Sequence, residues 1–400
     1  MSNPQPERLR DLGVAIGALP TGPMNSLTDV AGVRVGHRTL VRGDDVRTGV
    51  TAIWPHAGNP MSERVYAGIS ALNGYGEMTC RSVIDEWGLL SSPILLTGTS
   101  GVGMALDAAT RYLAQRYPEQ AREEVPIALV AECDDGFLHD HLTFALTAED
   151  VWAALDAATT APVEEGCVGG GTGMLLFGFK GGVGSSSRVV STAAGQFTVG
   201  VLVQTNFGRR ADLTIDGVHV GRALTDLQLE DPARAPTQTP PATVVDAAEA
   251  ADVTTRTTPT PDAPAPDAPA PDAPEGSCIV VVATDAPLHA HTLQRMAKRA
   301  GLGLARAGSY AGDGSGEIML AFSTAQRIPY HVPDGKLNVT LLAEGSYGAT
   351  GLNALFTAVV DATEEAVGNA LLAATTAHGR GGRVAHAAPH ERLRALLARR

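Results

Sequence analysis

Aromatic side chains are scarce in this chain of 400 residues, where Phe, Trp and Tyr together make up 4%. Its core must therefore be filled by Ala, Val and Leu, with 45 glycines letting backbones approach closely. Cysteine is scarcer still. Cys80, Cys133, Cys167 and Cys278 stand singly, without a CxxC pair or metal-ligand spacing. That pattern speaks against a disulfide framework or zinc site and fits a reducing compartment. Positive charge is in deficit: a formal net charge of −13 argues against a nucleic-acid or anionic-membrane partner. There is no run of about 18 apolar residues, and "MSNPQPERLRDLG" at the start has no apolar h-region, so a cytoplasmic protein is expected.

Several chemical signatures are missing as well. No GxSxG elbow occurs, which weakens an α/β-hydrolase reading. "GCVGGGTGM" (166–174) lacks the GxxxxGK[ST] pattern of a phosphate loop and reads better as tight strand packing. His139 and His141 are two apart, as are His289 and His291, but neither pair has a third ligand in context; no metal and no other cofactor is expected. The Arg-rich end "ERLRALLARR" reads as a solvated helix terminus.

What is present alternates in blocks. "PILLTGTSGVGMALDAATRYLAQRYP" predicts a buried strand, a Gly-rich turn and a helix from about Val102 to Arg116. "VPIALVAECDDGF" predicts a strand with Glu132 at its end, and "AEDVWAALDAAT" an amphipathic helix from about Ala148. A strand pair runs through "FTVGVLVQTNFG". Strands are expected at Cys278–Thr284, Glu317–Ser323 and Leu337–Leu342. Helices are expected from Pro287 to about Ala305, capped by Asp285, and from about Gly351 to Ala377. The blocks are not regular βαβ units, which favours stacked α and β layers; the length allows one large domain or two intimate ones.

The sharpest contrast lies at "PDAPAPDAPAPDAPEGSCIVVVATDAPL" (261–288). A Pro-Asp-Ala repeat, extended and unpacked by composition over about 256–275, gives way within two residues to an apolar strand. An ordinary spacer ends in loop chemistry; this one ends at Gly276-Ser277. A serine can attack the carbonyl of the residue before it, turning the amide into a hydrolysable ester, and glycine there removes steric hindrance. The new chain would start at Ser277 with an α-amine of reference pKa about 7.7–8.0. Nucleophile and general base would then sit on one residue. A Gly-Ser dipeptide alone carries no such meaning.

Its surroundings do. "GSCIVVVATDAPL" and "AGDGSGEIMLAFSTAQ" resemble the β-peptidyl aminopeptidase and L-aminopeptidase/D-esterase family of self-processing hydrolases. So do "SLTDVAGVRVGH", "RTGVTAI", "LNGYGE", "AECDDGF", "EGCVGGGTGM", "FKGGVGSSSR" and "VLVQTNFGRR". The resemblance covers most of the chain and is poorest over 210–275. It implies an α+β fold, a four-layer αββα sandwich like that of N-terminal-nucleophile hydrolases but with different connectivity. It also implies one catalytic domain over 1–400, cut once into an α-chain 1–276 and a β-chain 277–400. Ser277 would be the nucleophile, with Ser315 and Glu317 of "GDGSGE" hydrogen-bonding to it and assisting proton transfer. Asn206 would donate into the oxyanion hole, worth about 2.7–4 kcal/mol for such a donor. Glu132 would bind the substrate's free amine through a charge-assisted bond, making an aminopeptidase instead of an endopeptidase.

One position departs from the pattern. Family members can supply a tyrosine hydroxyl to the oxyanion hole two residues beyond the glutamate; here that residue is Asp134, and nearby Phe137 has no hydroxyl either. A backbone amide or water then serves as second donor, or the substrate range differs. The expected substrates are short peptides, amides or esters with a free amine, with α- versus β- and L- versus D-preference open. The resemblance also implies a homo-oligomer, a tetramer of αβ units. Two other readings stand beside it: an acyltransferase like the self-processing ornithine acetyltransferases, which use threonine, so that Ser277 and Glu132 argue against it; and an uncleaved, non-catalytic binding module.

Overall fold

The computed structural model describes residues 7–233, 276–343 and 351–398; the Pro-Asp-Ala segment at about 256–275 lies outside them. Two sheets form the middle of the molecule. The smaller contains β1 (Arg34–Arg42), β2 (Val46–Trp54), β4 (Ile94–Gly98) and β5 (Leu129–Cys133), in the order β1-β2-β4-β5. The larger contains β3 (Glu63–Gly74), β6 (Val183–Thr192), β7 (Gly195–Asn206), β8 (Ser277–Thr284) and β9 (Gly316–Ser323), in the order β3-β9-β8-β7-β6. Within the larger sheet β8 and β9 run parallel and their other neighbours antiparallel.

Among the described residues, four of the helices supply most of the cover over the sheets. Two of them, α1 (Val102–Arg116) and α2 (Ala148–Asp156), pack Ala105, Ala109 and Val151 against Val50, Leu95 and Val130 of the small sheet. On the large sheet α3 (Ala290–Ala307) and α4 (Leu352–Ala373) set Leu293, Met296, Leu304 and Val359 against Val201, Val203, Val280 and Val282. Between the sheets, Leu96 and Ala131 meet Leu202, Ile279, Val281 and Leu320. The result is an αββα sandwich of four layers with a core at each of its three interfaces.

The period of two in a strand explains the division. Along β8, Ile279 and Val281 enter the inter-sheet core while Cys278, Val280 and Val282 face the helices. All eight residues of the strand are buried, which is why it reads as a continuous apolar run.

Two expectations are corrected. Residues 337–342 form no strand: the edge beside β3 is taken by Ile328–Pro329, so this stretch finds no ladder. Its alternate residues Leu337, Val339 and Leu341 stay exposed; the Leu342 amide reaches the Pro287 carbonyl, and the Thr340 carbonyl accepts from Gln326 Nε2. Asp285 caps no helix. Its carboxylate accepts the Thr198 amide at 2.7 Å, and α3 starts only after His289.

Helix α4 is anchored by charge as well as by packing. Glu365, fully buried, accepts from Arg188 at 2.6 Å, from Arg10 at 2.8 Å and from Asn25 Nδ2 at 2.5 Å. Despite burial, these partners hold its carboxyl below the usual glutamate range. Removing one member strands a buried charge, so Glu365→Ala is expected to cost about 3–5 kcal/mol. Urea unfolding should show that loss as a lower midpoint at unchanged slope; a midpoint like that of the parent would refute the anchoring role.

Candidate active site

Strand order sets Ser277 at the head of β8, the middle strand of the large sheet. It stands opposite Asn206 on antiparallel β7 and Gly316 on parallel β9. By strand alternation its side chain shares the inter-sheet face with Ile279 and Val281, and Asn206, its cross-strand partner, shares that face. The Ser277 hydroxyl is buried and, among the described residues, has no hydrogen-bond partner. Such an orphan is rare in a folded interior and asks for an explanation.

The residues before and beside it are glycines for steric reasons. A Cβ on Gly276 would lie 1.5 Å from the Asn206 carbonyl oxygen; one on Gly316 would lie 2.3 Å from the Tyr75 carbonyl oxygen. The Gly276 carbonyl accepts the Gly316 amide at 3.1 Å. This bond is the first rung of the β8–β9 ladder. Opposite, Asn206 has its Oδ1 pinned by the Leu175 amide at 2.9 Å, which fixes the amide plane and leaves its Nδ2 as the free end.

Glu132 sits near the end of β5 in register with Thr97. Its carboxylate accepts the Glu77 amide at 3.0 Å and the Thr99 hydroxyl. Burial raises its pKa, and Asp134 and Glu77 add to that, while the two hydrogen bonds act in the opposite sense. The chain between β3 and the small sheet brings this carboxylate toward the nucleophile. A Cβ on Gly76 would lie 3.3 Å from Glu132 Oε1 and 3.8 Å from the Cα of Gly316, the neighbour of Ser277. Glu132, Gly316, Ser277 and Asn206 thus converge at one end of the inter-sheet layer.

Ser315 and Glu317 form a different grouping. The Ser315 hydroxyl donates to Glu317 Oε1 at 2.5 Å, and among the described residues the buried Glu317 Oε2 has no partner. Glu317 pairs in register with Cys278 and so shares the helix-facing side of the sheet. The pair flanks the backbone of Ser277 from the face opposite its hydroxyl, and neither side chain is hydrogen-bonded to Ser277 Oγ. Asp134 is exposed and accepts the Gly136 amide at 2.8 Å. Phe137 lies under the Arg383 guanidinium, 5.3 Å from ring centroid to Cζ. Neither gives the site a hydroxyl. Among the described residues no cluster of three or more His, Cys, Asp or Glu side chains could hold a metal, and no helix is long and apolar enough to cross a membrane.

Sequence reasoning passed over Cys133, which closes the site from β5. Its thiol donates to the Gln204 carbonyl at 3.5 Å, and burial, with the nearby Glu132 charge adding to it, pushes its pKa up to about 12. Cys278 is pushed well above the ordinary thiol value and Cys80 to about 11, both by burial. These thiols are poor nucleophiles.

The four-layer αββα sandwich, with a buried serine at the head of its central strand, has the layering of the N-terminal-nucleophile hydrolase fold. The sequence model of peptidase family S58 matches residues 25–385. The chain is 41% identical to the β-peptidyl aminopeptidase BapA of Sphingosinicella xenopeptidilytica, over 98% of this chain and 91% of that protein. It superposes with a TM-score of 0.81 and 37% identity on the L-aminopeptidase D-Ala-esterase/amidase of Ochrobactrum anthropi, covering 98% of both chains. That structure is described as a prototype of the serine aminopeptidases and a variant of the N-terminal-nucleophile fold. A Burkholderia β-aminopeptidase matches at a TM-score of 0.81 and 37% identity, over 98% of this chain and 99% of that one. The chain belongs to peptidase family S58 and is a serine aminopeptidase.

Thiol chemistry offers a simple check on the choice of nucleophile. At pH 8, iodoacetamide should label Cys167 first and leave Cys133 and Cys278 unmodified until the protein is unfolded, with activity retained. Inactivation that tracks labelling of Cys133 would refute a purely serine-based site.

Proposed function

We propose that the chain cuts itself between Gly276 and Ser277 and then releases N-terminal residues from short peptides, amides or esters through an acyl-enzyme on Ser277. The observation that carries this reading is the orphaned Ser277 hydroxyl at the head of a rigid central strand, with the Gly276 carbonyl locked beside it. After cleavage the freed α-amine acts as general base. Glu317 and Ser315, across the backbone, receive and orient that amine, for which the unpartnered Glu317 Oε2 is ready. Asn206 Nδ2 donates to the oxyanion.

Glu132 binds the substrate's free amine. Its carboxylate is already held by two donors, so an ammonium meets a fixed partner instead of a mobile one. β-Amino substrates are favoured by the likeness to the β-peptidyl aminopeptidase and β-aminopeptidase relatives. The L-aminopeptidase D-Ala-esterase/amidase likeness extends the substrate panel to L-peptides, D-amides and D-esters. We further propose a cytoplasmic homo-oligomer, a tetramer of αβ units; four free thiols fit a reducing compartment.

Intact-mass spectrometry tests the central claim. The purified protein should yield chains 1–276 and 277–400, and Ser277→Ala a single uncut chain of 41.3 kDa without peptidase activity. A parent that stays whole yet hydrolyses β-alanyl p-nitroanilide would overturn it. For the amine site, Glu132→Gln should lower kcat/KM on free-amine substrates by about tenfold to a hundredfold while leaving already poor N-acetylated substrates unchanged. Because burial raises the Glu132 pKa, the carboxylate form, and with it substrate binding, is gained as pH rises through that raised value. The acid limb of the kcat/KM profile should therefore lie above the ordinary glutamate range in the parent and be absent in Glu132→Gln. An unchanged acid limb in the variant would assign it to another group.

A further inference from the structure

Among the described residues, the Asp134 position gives the site no second hydroxyl donor, yet the scissile carbonyl is already hydrogen-bonded. From this geometry we infer that the main-chain N–H of Gly316 is the second oxyanion donor, acting first on the chain's own Gly276 carbonyl and afterwards on the substrate's. The inference rests on the self-cleavage proposed above and assigns a catalytic part to a backbone group.

The Gly316 amide meets the Gly276 oxygen at 3.1 Å before any reaction, within the range of a working oxyanion donor. The bond is made by a parallel strand, so the donor has no side-chain freedom and needs no reorganisation as charge develops on the oxygen. Its position is enforced from both sides. Gly316 is packed against the Tyr75 carbonyl, and β8 continues the ladder in register from Ser277–Gly316 to Thr284–Ser323.

In self-cleavage, Ser277 Oγ bonds to the Gly276 carbonyl carbon. The pair of electrons from the C=O π bond moves onto the oxygen facing Gly316. Collapse breaks the C–N bond, and the hydroxyl proton ends on the Ser277 nitrogen. Water then attacks the ester, its OH going to the Gly276 carbon and its remaining proton to Oγ. Once Gly276 departs, the first rung of the ladder loses its acceptor and Gly316 N–H is left pointing at the nucleophile's acyl position. An unpaired amide in that place costs free energy until a substrate carbonyl takes it up. The vacated rung therefore recruits the carbonyl oxygen of the next acyl group.

The test removes the N–H and keeps the glycine shape. Glycolic acid is introduced at position 316 by nonsense suppression, turning that amide into an ester. The control is the corresponding ester at Ile318, which deletes the next rung of the same ladder away from the reaction. Self-cleavage is followed by intact mass and turnover by β-alanyl p-nitroanilide hydrolysis per mole of cut chain. The 316 ester is expected to slow both by about a hundredfold to a thousandfold, with the far-ultraviolet spectrum of the parent, while the 318 ester cuts and turns over within about threefold. Equal slowing by both esters would reduce the effect to ladder stability and overturn the assignment. A 316 ester that cuts as fast as the parent overturns it as well; one that slows cutting but not turnover overturns the substrate half. A parent that never cuts would defeat the self-cleavage reading itself, a result distinguishable from all of these.

Discussion

The hydrogen bond from the Gly316 amide to the Gly276 carbonyl, with the Asn206–Ser277 pairing on the other side, fixes where the sheet begins. Everything chemical in the molecule depends on that boundary. Ser277 is held by strands on both sides, so its side chain cannot choose a face. Its hydroxyl is placed between the two sheets, and Glu317, one register position on, is placed on the other face. A buried hydroxyl and a buried carboxylate oxygen left without partners each cost about 1–3 kcal/mol. A loop would relax to satisfy them; the centre of a sheet cannot.

The same rigidity organises the electrostatics. Glu132 lies in a buried position that works against its charge, beside Glu77 and Asp134, which work against it further. Two donors, one of them a backbone amide, keep the carboxylate oriented in spite of this. A carboxylate so held is short of positive charge and not of geometry, the condition in which an ammonium ligand gains most.

Much of this was legible in the sequence where the signal is local. The helix at Val102–Arg116 ran to its expected bounds because a Gly-rich turn opens it and Pro118 follows it. Ser277 stood out because composition changes abruptly there. Other features depended on what lies opposite in space. Residues 337–342 have the alternation of a strand but pair with none, the edge beside β3 being held by Ile328–Pro329. The part taken by Gly316 leaves no mark in sequence, since a backbone amide is the same in every residue but proline. Cys133 read as one more isolated cysteine until β5 was seen to end against Ser277.

Strands β8 and β9 lie between β3 and β7, and Glu365 in α4 is gripped by Arg10 and Arg188 from far earlier in the chain. A cut at Gly276 would thus divide the covalent chain without dividing the structure. The two pieces are interleaved strand by strand, and each would have an incomplete sheet if taken alone. Assembly before the cut is unimolecular, whereas recovery after full unfolding would require two fragments to meet. The intact polypeptide thereby serves as its own template, and the finished molecule carries an architecture that its separated parts could regain only at a rate set by their concentration.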